Sequence, residues 1–397
     1  MAHVLIAPDK FKGSLTAVEV AAAVCRGLVS VRPDISTVVL PVADGGDGTL
    51  DAAVAAGFQR IPVRVSGPVG NPVDTAYAVR DGVAVIEMAD ACGLNRLPGG
   101  QLAPLVASST GLGQVIRAAL DAGAHRVILG VGGSASTDGG AGMLTALGAR
   151  LLDVRGHQLP PGGAALEHLH RVDLTGLNPQ LARVDVILAG DVDNPLLGPT
   201  GASWTYAPQK GASPAQVQAL ESALRRWSVL VAGAMGVPAG DDGHPAATTP
   251  GAGAAGGVGF AAIAVLRAES RSGIDLFLEL TGFYRQLAGA RLVITGEGSL
   301  DTQTLRGKAP AGVAAAAGRV GVPVVAVAGQ NLLDSIALTT AGFSDAYALL
   351  DIEPNQARCM ADPGPLLERL AAQIAGHWLR DGPAGGTPRN FTSSGIG

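Results

Sequence analysis

The sequence predicts an α/β fold built on parallel strands, and two observations predict it. Short β-branched apolar runs alternate with segments of helical periodicity, the order expected of strand–helix–strand units. Those apolar runs also lead into turns rich in glycine, aspartate and lysine, as strands do at the ligand-facing end of an open parallel sheet. At 397 residues, 47% of them apolar, the chain is long enough for two or three domains, or for one large domain with insertions.

His3 to Ala7 reads as a buried first strand. The helix after it opens on Thr16 and Glu19 at capping-box spacing and carries Val20, Val24 and Leu28 at apolar positions. Ser36 to Val42 is the next strand and Asp47 to Ala56 the next helix. From about Pro62 to Glu87 the pattern changes to short strands near Val63–Val65, Thr75–Val79 and Val83–Ile86, split by Gly-Pro, Gly-Asn-Pro and Asp-Gly turns. That is the mark of an antiparallel insertion, with Asp81-Gly82 as its hairpin turn. A helix from Leu112 to Ala122, stopped by Gly123, leads into a strand from Arg126 to Leu129. Gly139 to Arg150 is expected to be helical, and Val184 to Ala189 a buried strand. Ser213-Pro214 opens a helix reaching about Ala232, with proline at the first position, where its missing N–H costs nothing. Asp241 to Gly259 reads as a loop. Arg291–Thr295 and Val322–Ala328 are strands flanking a helix from about Ala309 to Gly318. After about Arg380 periodicity stops, and a disordered tail is expected.

Composition narrows the function. A net charge of −5 offers no basic field to nucleic acid or an anionic membrane, and an aromatic content of 4% argues against a stacking platform for single strands. The three cysteines, Cys25, Cys92 and Cys359, form no C-x-x-C pair, which excludes a zinc knuckle or thioredoxin-like site and fits a reducing cytoplasm. Met1 to Lys12 lacks a signal peptide's pattern, and the longest apolar stretches, Phe260–Leu266 and Val313–Ala317, are too short to cross a bilayer. A soluble cytoplasmic enzyme acting on a small molecule is the expectation.

The chemistry gathers where strands end. HVLIA runs into PDKFKGS, VVLPV into ADGGDGT, RVILG into VGGSASTDGG and VDVILAG into DVDNPLLG; later, RLVITG runs into EGSLDTQ and PVVAVAG into Gln330. These turns supply Asp9, Asp44, Asp47, Asp138, Asp191, Asp193, Glu297 and Asp301 as carboxylates. Lys10, Lys12, Lys210 and Lys308 supply cations. Glycines let backbone N–H groups approach an anion, and helix starts after Gly46 or Gly133 add a favourable dipole. Gly loops, hard carboxylates and lysines without a histidine cluster suit phosphate and Mg²⁺ better than a zinc or Ser-His-Asp hydrolase. Plainer readings stand beside each residue. The Asp44–Thr49 stretch is also a turn in which Asp47 caps a helix, and Asp191 and Asn194 are also Asx-turn formers before Pro195. Lys210 is also a solvated loop lysine, and Glu297 and Asp301 are also helix caps. The small polar run Gly132–Asp138 speaks more for phosphate contact.

Two pattern checks refine this. No G-x-x-x-x-G-K-[ST] occurs, so the chain is not a P-loop protein. Gly251–Gly256 spells G-x-G-x-x-G but follows Ala-Ala-Thr-Thr-Pro rather than a strand, which makes it a poor dinucleotide fingerprint. It reads instead as a loop over ATP phosphates or the packed start of a helix from about Val258.

With these motifs in order, the sequence resembles the bacterial glycerate kinase family, the type unrelated to P-loop kinases, in its glycerate 2-kinase branch. The resemblance runs through APDKFKGSLTAVEVA, PVADGGDGT, ASSTGLGQVI, LGVGGSASTDGGAGML, GDVDNPLLGPTGAS, APQKGA, PGAGAAGGVGFA, ITGEGSLDTQTLRGKAP and VAVAGQ, and covers the chain apart from its tail. It implies ATP-dependent, Mg²⁺-assisted phosphorylation of D-glycerate to 2-phosphoglycerate, with the 3-phospho isomer as the alternative. It also implies a discontinuous architecture: a Rossmann-like domain from 1–61 and 286–380, a larger mixed α/β insertion at 62–285, and substrates in the cleft between them. Closure would exclude water from the reaction.

On this resemblance Asp191, and after it Asp44, is the carboxylate accepting the glycerate hydroxyl proton, and Lys10 grips the substrate or the transferring phosphate. Mg²⁺ falls to Asp44, Asp47 or Asp191. Gly132, Gly133, Ser134, Asp138, Lys210, Gly253 and Gly256 are assigned to the nucleotide. Lys12, Ser14, Asn194, Glu297, Ser299 and Asp301 are assigned to the substrate. A nicotinamide-dependent hydroxyacid dehydrogenase resting on 251–256, or a non-catalytic ligand sensor, are the rival readings.

Overall fold

A computed structural model describes residues 2–380, so the tail expected after Arg380 lies outside the described residues. The described residues form two compact units, one from residues 2–43 with 274–380 and one from Asp44–Gly273. Residues 44–61, read from the sequence with the first domain, fall in the second unit, and 274–285 fall in the first. Strand pairing accounts for the former, since Gln59–Ser66 pairs along its whole length with Pro72–Arg80.

The first unit opens with β1 (His3–Ile6), α1 (Ala17–Val31) and β2 (Ser36–Val39). Thr16 and Glu19 form the capping box expected of them, and Val20, Val24 and Leu28 are buried along α1.

The second unit begins with α2 (Thr49–Ala55) and the antiparallel meander β3 (Gln59–Ser66), β4 (Pro72–Arg80) and β5 (Val83–Glu87). Asp81 and Gly82 both take positive φ at the β4–β5 turn, as a tight hairpin requires. Next come α3 (Met88–Cys92), α4 (Thr110–Asp121), β6 (Arg126–Gly130), α5 (Ala141–Ala146), and the hairpin strands β7 (Arg150–Leu152) and β8 (Arg171–Asp173). The unit ends with β9 (Asp185–Ala189), α6 (Ala202–Tyr206), α7 (Pro214–Met235), α8 (Ala254–Ala264) and β10 (Glu269–Arg271). Its main sheet has the order β10-β9-β6-β5-β4-β3, parallel from β10 to β5 and antiparallel beyond.

Two expectations are corrected here. The helix read over Gly139–Arg150 is only Ala141–Ala146, because Gly148 takes φ +111° and Arg150 already belongs to a strand. The loop read over Asp241–Gly259 gives way to α8 at Ala254, although Ala255, Gly256 and Gly257 keep positive φ and regular helical geometry begins at Val258, where the sequence reading placed it. Trp227 of α7 is fully buried and anchors this core, edge-on to Phe260 and donating from Nε1 to the Gly139 carbonyl at 2.9 Å.

The first unit resumes with α9 (Gly273–Leu280), whose first residue still belongs to the second unit, then α10 (Phe283–Leu287), β11 (Ala290–Leu300), α11 (Ala309–Gly318) and β12 (Val324–Asn331). It continues through α12 (Ser335–Thr340), β13 (Asp345–Ala348), α13 (Gln356–Ala361) and α14 (Pro363–Trp378). All neighbours in its sheet, β13-β12-β11-β1-β2, run parallel. Strand alternation splits the core into two layers. Val4, Ile6, Leu292, Ile294, Val325 and Val327 pack with α1 and α14, whereas Leu5, Val293, Val324 and Ala326 pack with α9, α10 and α11. The helices α1 and α14 meet at Gly27, where a β-carbon would stand 2.2 Å from the Glu368 carbonyl oxygen. Among the described residues no helix is long and apolar enough to cross a membrane.

Candidate active site

In the second unit the carboxyl ends of the parallel strands converge through glycines that tolerate very close backbone approach. Gly45, at φ +88°, lies so near the end of β9 that a β-carbon would stand 2.4 Å from the Ala189 carbonyl oxygen. Gly132 N–H donates to the Gly45 carbonyl at 3.2 Å. Gly190 N–H donates to the Arg271 carbonyl at 3.2 Å. Gly273 N–H donates to Asp191 Oδ1 at 3.1 Å, while a β-carbon on Gly273 would meet the Asp44 carbonyl at 1.9 Å. The turns carrying Asp44, Asp47, Gly132 and Asp191 are thus one neighbourhood, as the sequence pattern implied. Asp44 is half-buried and accepts Gly46 N–H at 3.0 Å, while Asp47 and Asp191 are exposed.

Beneath this turn lies a residue that the sequence reading missed. Glu87, at the end of β5, is buried and accepts Gly48 N–H at 3.1 Å and Leu50 N–H at 2.9 Å. These are amides at the start of α2, so the carboxylate holds the Asp44–Thr49 turn from behind. Burial pushes its pKa up to about 7. The available signal was its place: a carboxylate closing a buried strand.

The Gly132–Asp138 loop divides by exposure. Gly133 is exposed and Gly132 half-buried, whereas Ser134, Ser136, Thr137 and Asp138 are buried. Asp138 is fully committed inside the protein. Its carboxylate accepts Ser109 N–H (2.8 Å), Ser109 Oγ (2.9 Å), Ser108 Oγ (3.2 Å), Gly140 N–H (3.2 Å) and Gly142 N–H (3.2 Å). It therefore ties the loop to the start of α4. Lys210, read as a nucleotide contact or a solvated lysine, is neither exposed nor aimed outward. Only 2% of it is accessible, and Nζ donates to Ser134 Oγ at 2.8 Å and to the Ser136 carbonyl at 2.5 Å.

Gly253 and Gly256 are likewise turned inward. A β-carbon on Gly253 would meet the Pro195 carbonyl at 2.3 Å, and one on Gly256 the Ser136 carbonyl at 2.2 Å. This glycine run is the packed entry to α8, preceded by a 3-10 turn at Pro245–Thr248, and not a strand-fed dinucleotide loop. Ala255 shares its left-handed geometry at φ +53°, an unfavourable conformation for a residue with a β-carbon. The Asn194 amide is also spent internally, donating to the Thr200 carbonyl at 2.7 Å and accepting Tyr206 OH at 2.5 Å.

The first unit gathers its own predicted residues at the carboxyl ends of β1, β11 and β12. Asp9 N–H donates to the Gly296 carbonyl at 2.8 Å, and a β-carbon on Gly298 would stand 3.3 Å from Lys12 N. The loop bearing Lys10, exposed Lys12 and Ser14 therefore lies against the turn of Glu297, Ser299 and Asp301. Glu297 is buried, accepts Thr304 Oγ1 at 2.5 Å and pairs with Lys308 Nζ at 3.3 Å. Burial raises its pKa despite those partners. Gln330 donates to Ser299 Oγ at 3.1 Å, Ser14 Oγ donates to the Phe11 carbonyl at 3.1 Å, and Asp301 accepts Gln303 N–H at 2.7 Å.

Among the described residues no three His, Cys, Asp or Glu side chains are grouped to hold a cation. Mg²⁺ in phosphoryl transfer asks less of a protein, one or two carboxylates, and draws the rest of its ligands from phosphate and water.

Comparison with known proteins fits this arrangement. A model of the "Glycerate kinase family" matches residues 4–379. The chain is 43% identical to a glycerate kinase of Bacillus subtilis (strain 168), over 94% of this chain and 96% of that one. It is also 43% identical to glycerate 2-kinase of Escherichia coli (strain K12), over 84% and 86% of the two chains. A crystal structure of a protein from Salmonella typhimurium LT2, provisionally assigned as glycerate kinase 2, superposes with a TM-score of 0.80 at 40% identity, covering 94% of this chain and 97% of that one. With a family model matched over residues 4–379 and relatives at 40–43% identity over most of both chains, the chain belongs to the glycerate kinase family.

Proposed function

We propose that this protein transfers the γ-phosphoryl group of ATP to D-glycerate and yields 2-phosphoglycerate. The observation that carries the reading is the convergence of Asp44, Asp47, Gly132 and Asp191 on backbone contacts that only glycine permits, in a member of this family. The 43% identity with a glycerate 2-kinase favours the 2-phospho product.

Phosphoryl transfer depends on positioning and charge neutralisation more than on covalent chemistry. Asp191 is exposed at the end of a rigid strand, with one oxygen oriented by Gly273 N–H, and is the first candidate to accept the glycerate hydroxyl proton. Asp44 is the second. One or two of Asp44, Asp47 and Asp191 would hold Mg²⁺, which when bound would neutralise phosphate charge. Gly133, exposed in this turn, offers its backbone N–H to a phosphate oxygen, while the Gly132 N–H is spent on the Gly45 carbonyl. In the first unit Lys10 and Lys12 supply cations suited to a carboxylate or phosphate, with Ser14, Glu297, Ser299 and Asp301 beside them. The sparse cysteines suit a cytoplasmic setting.

ADP release with Mg-ATP and D-glycerate, followed by phosphorus NMR of the product, tests the proposal. Turnover with a 2-phosphoglycerate signal supports it, and a 3-phosphoglycerate signal corrects the regiochemistry. No glycerate-dependent ADP release from folded protein overturns it.

A further inference from the structure

We propose that Lys210 is a positioning residue for the nucleotide, fixing the Gly132–Ser136 turn from behind so that its outer face binds phosphate. The proposal rests on the kinase reading above, but only on its nucleotide half. Lysine is rarely buried without a carboxylate partner, because removing an ammonium from water is costly. Here Nζ reaches only neutral oxygens, Ser134 Oγ and the Ser136 carbonyl. The anion that acts on it is Asp138, whose carboxylate is already engaged by Ser108, Ser109, Gly140 and Gly142.

The turn it holds needs holding. Ser136 Oγ and Thr137 Oγ1 are buried with no partner among the described residues, a cost typical of loops kept for function. The same Ser136 carbonyl lies under Gly256, and Leu94 N–H donates to the Gly133 carbonyl at 3.1 Å, so the turn is gripped from several sides. An ammonium carries three donors and no acceptor. At Ser134 the hydroxyl must therefore be the acceptor, which leaves its own proton to point elsewhere. The buried positive charge also lies within the turn whose exposed residue is Gly133, where low dielectric strengthens its pull on an incoming anion. Burial lowers the Lys210 pKa to about 7, so the charge is present below that pH and lost above it.

The test is the affinity for Mg-ATP, measured by calorimetry without glycerate between pH 6 and 8.5, in the wild type and in Lys210→Met. The wild type should weaken on the order of tenfold as pH rises through 7. Lys210→Met should bind weakly with a flatter profile, which cancels the nucleotide's own titration. Its KM for glycerate should stay within about twofold, a split that a merely structural lysine would not give. Wild-type affinity in Lys210→Met, or parallel profiles in the two proteins, overturns the proposal. If Lys210→Met does not fold, Ser134→Ala decides, since it removes one anchor and keeps the charge. Its Mg-ATP affinity should fall while its melting temperature holds, and unchanged affinity overturns the idea. A protein that binds nucleotide but leaves glycerate untouched would sink the kinase reading and leave this one standing.

Discussion

Gly132 stands so close to Gly46 that a β-carbon on it would lie 2.6 Å from the Gly46 α-carbon. Two turns far apart in sequence are thereby pressed backbone to backbone, and the carboxylates of Asp44 and Asp47 are placed by that contact. Gly132→Ala should force the turns apart. A misplacement of about 1 Å is enough to cost on the order of a hundredfold in kcat. The expected outcome is that loss in an ADP-release assay with a small change in melting temperature. Turnover near the wild-type rate would show that the contact does not set the geometry.

Asp191→Asn keeps shape and removes charge. If Asp191 accepts the substrate proton, kcat should fall by roughly 10² to 10⁴, with melting unchanged. Nearly normal turnover would transfer the role to Asp44. Raising Mg²⁺ distinguishes the two roles proposed for Asp191: partial recovery in Asp191→Asn would mark it as a metal ligand, and none as the base.

Glu87 makes a prediction about pH. Its folded pKa, about 7, lies above the ordinary glutamate value of 4.5, so between these values the folded state holds a proton that the unfolded chain has lost. Stability should then fall as pH rises from about 5 to 7, by on the order of 3 kcal/mol from this group. Glu87→Gln should flatten that slope in urea melts. An unchanged slope would show that Glu87 ionises normally. The same variant leaves one of the two amides, Gly48 N–H or Leu50 N–H, without its carboxylate oxygen, so some loss of turnover is expected.

At the α1–α14 crossing two effects oppose each other. Gly27→Ala gains roughly 1 kcal/mol of helix propensity. The new β-carbon would meet the Glu368 carbonyl at 2.2 Å and the Ala371 β-carbon at 2.6 Å, and such overpacking costs about 1–3 kcal/mol. Backbone cannot rotate away as a side chain can, so the clash should win and the melting temperature should drop. A rise would mean the helices separate freely.

Much of the fold was legible because its signals are local. Thr16 and Glu19 announced the start of α1, Ser213-Pro214 that of α7, and Asp81-Gly82 a hairpin, each through its own chemistry. The helix expected over Gly139–Arg150 was not, because φ +111° at Gly148 answers to the packing of Gly148 against the Gly176 carbonyl, at 2.1 Å from a would-be β-carbon. Of the site, the strand-end positions of Asp44 and Asp191 could be read from pattern alone. Burial could not. Lys210 and Asp138 look like ligand contacts in the sequence, and the structure spends them on loop and helix amides and on serine oxygens. Glu87 went unnoticed because its turn sits almost forty residues earlier in the chain.

The place of β1 in the first sheet, between β2 and β11, has a consequence for how the chain is made. β1 and α1 leave the ribosome well before their partners β11 and α14. Residues Asp44–Gly273 form a continuous stretch and can close on themselves meanwhile. At about 5–20 residues per second, the first forty residues wait on the order of tens of seconds with an uncovered strand edge and an apolar helix face. During that interval the nascent chain is most in need of a chaperone, and the order of synthesis makes α14 the element that ends it.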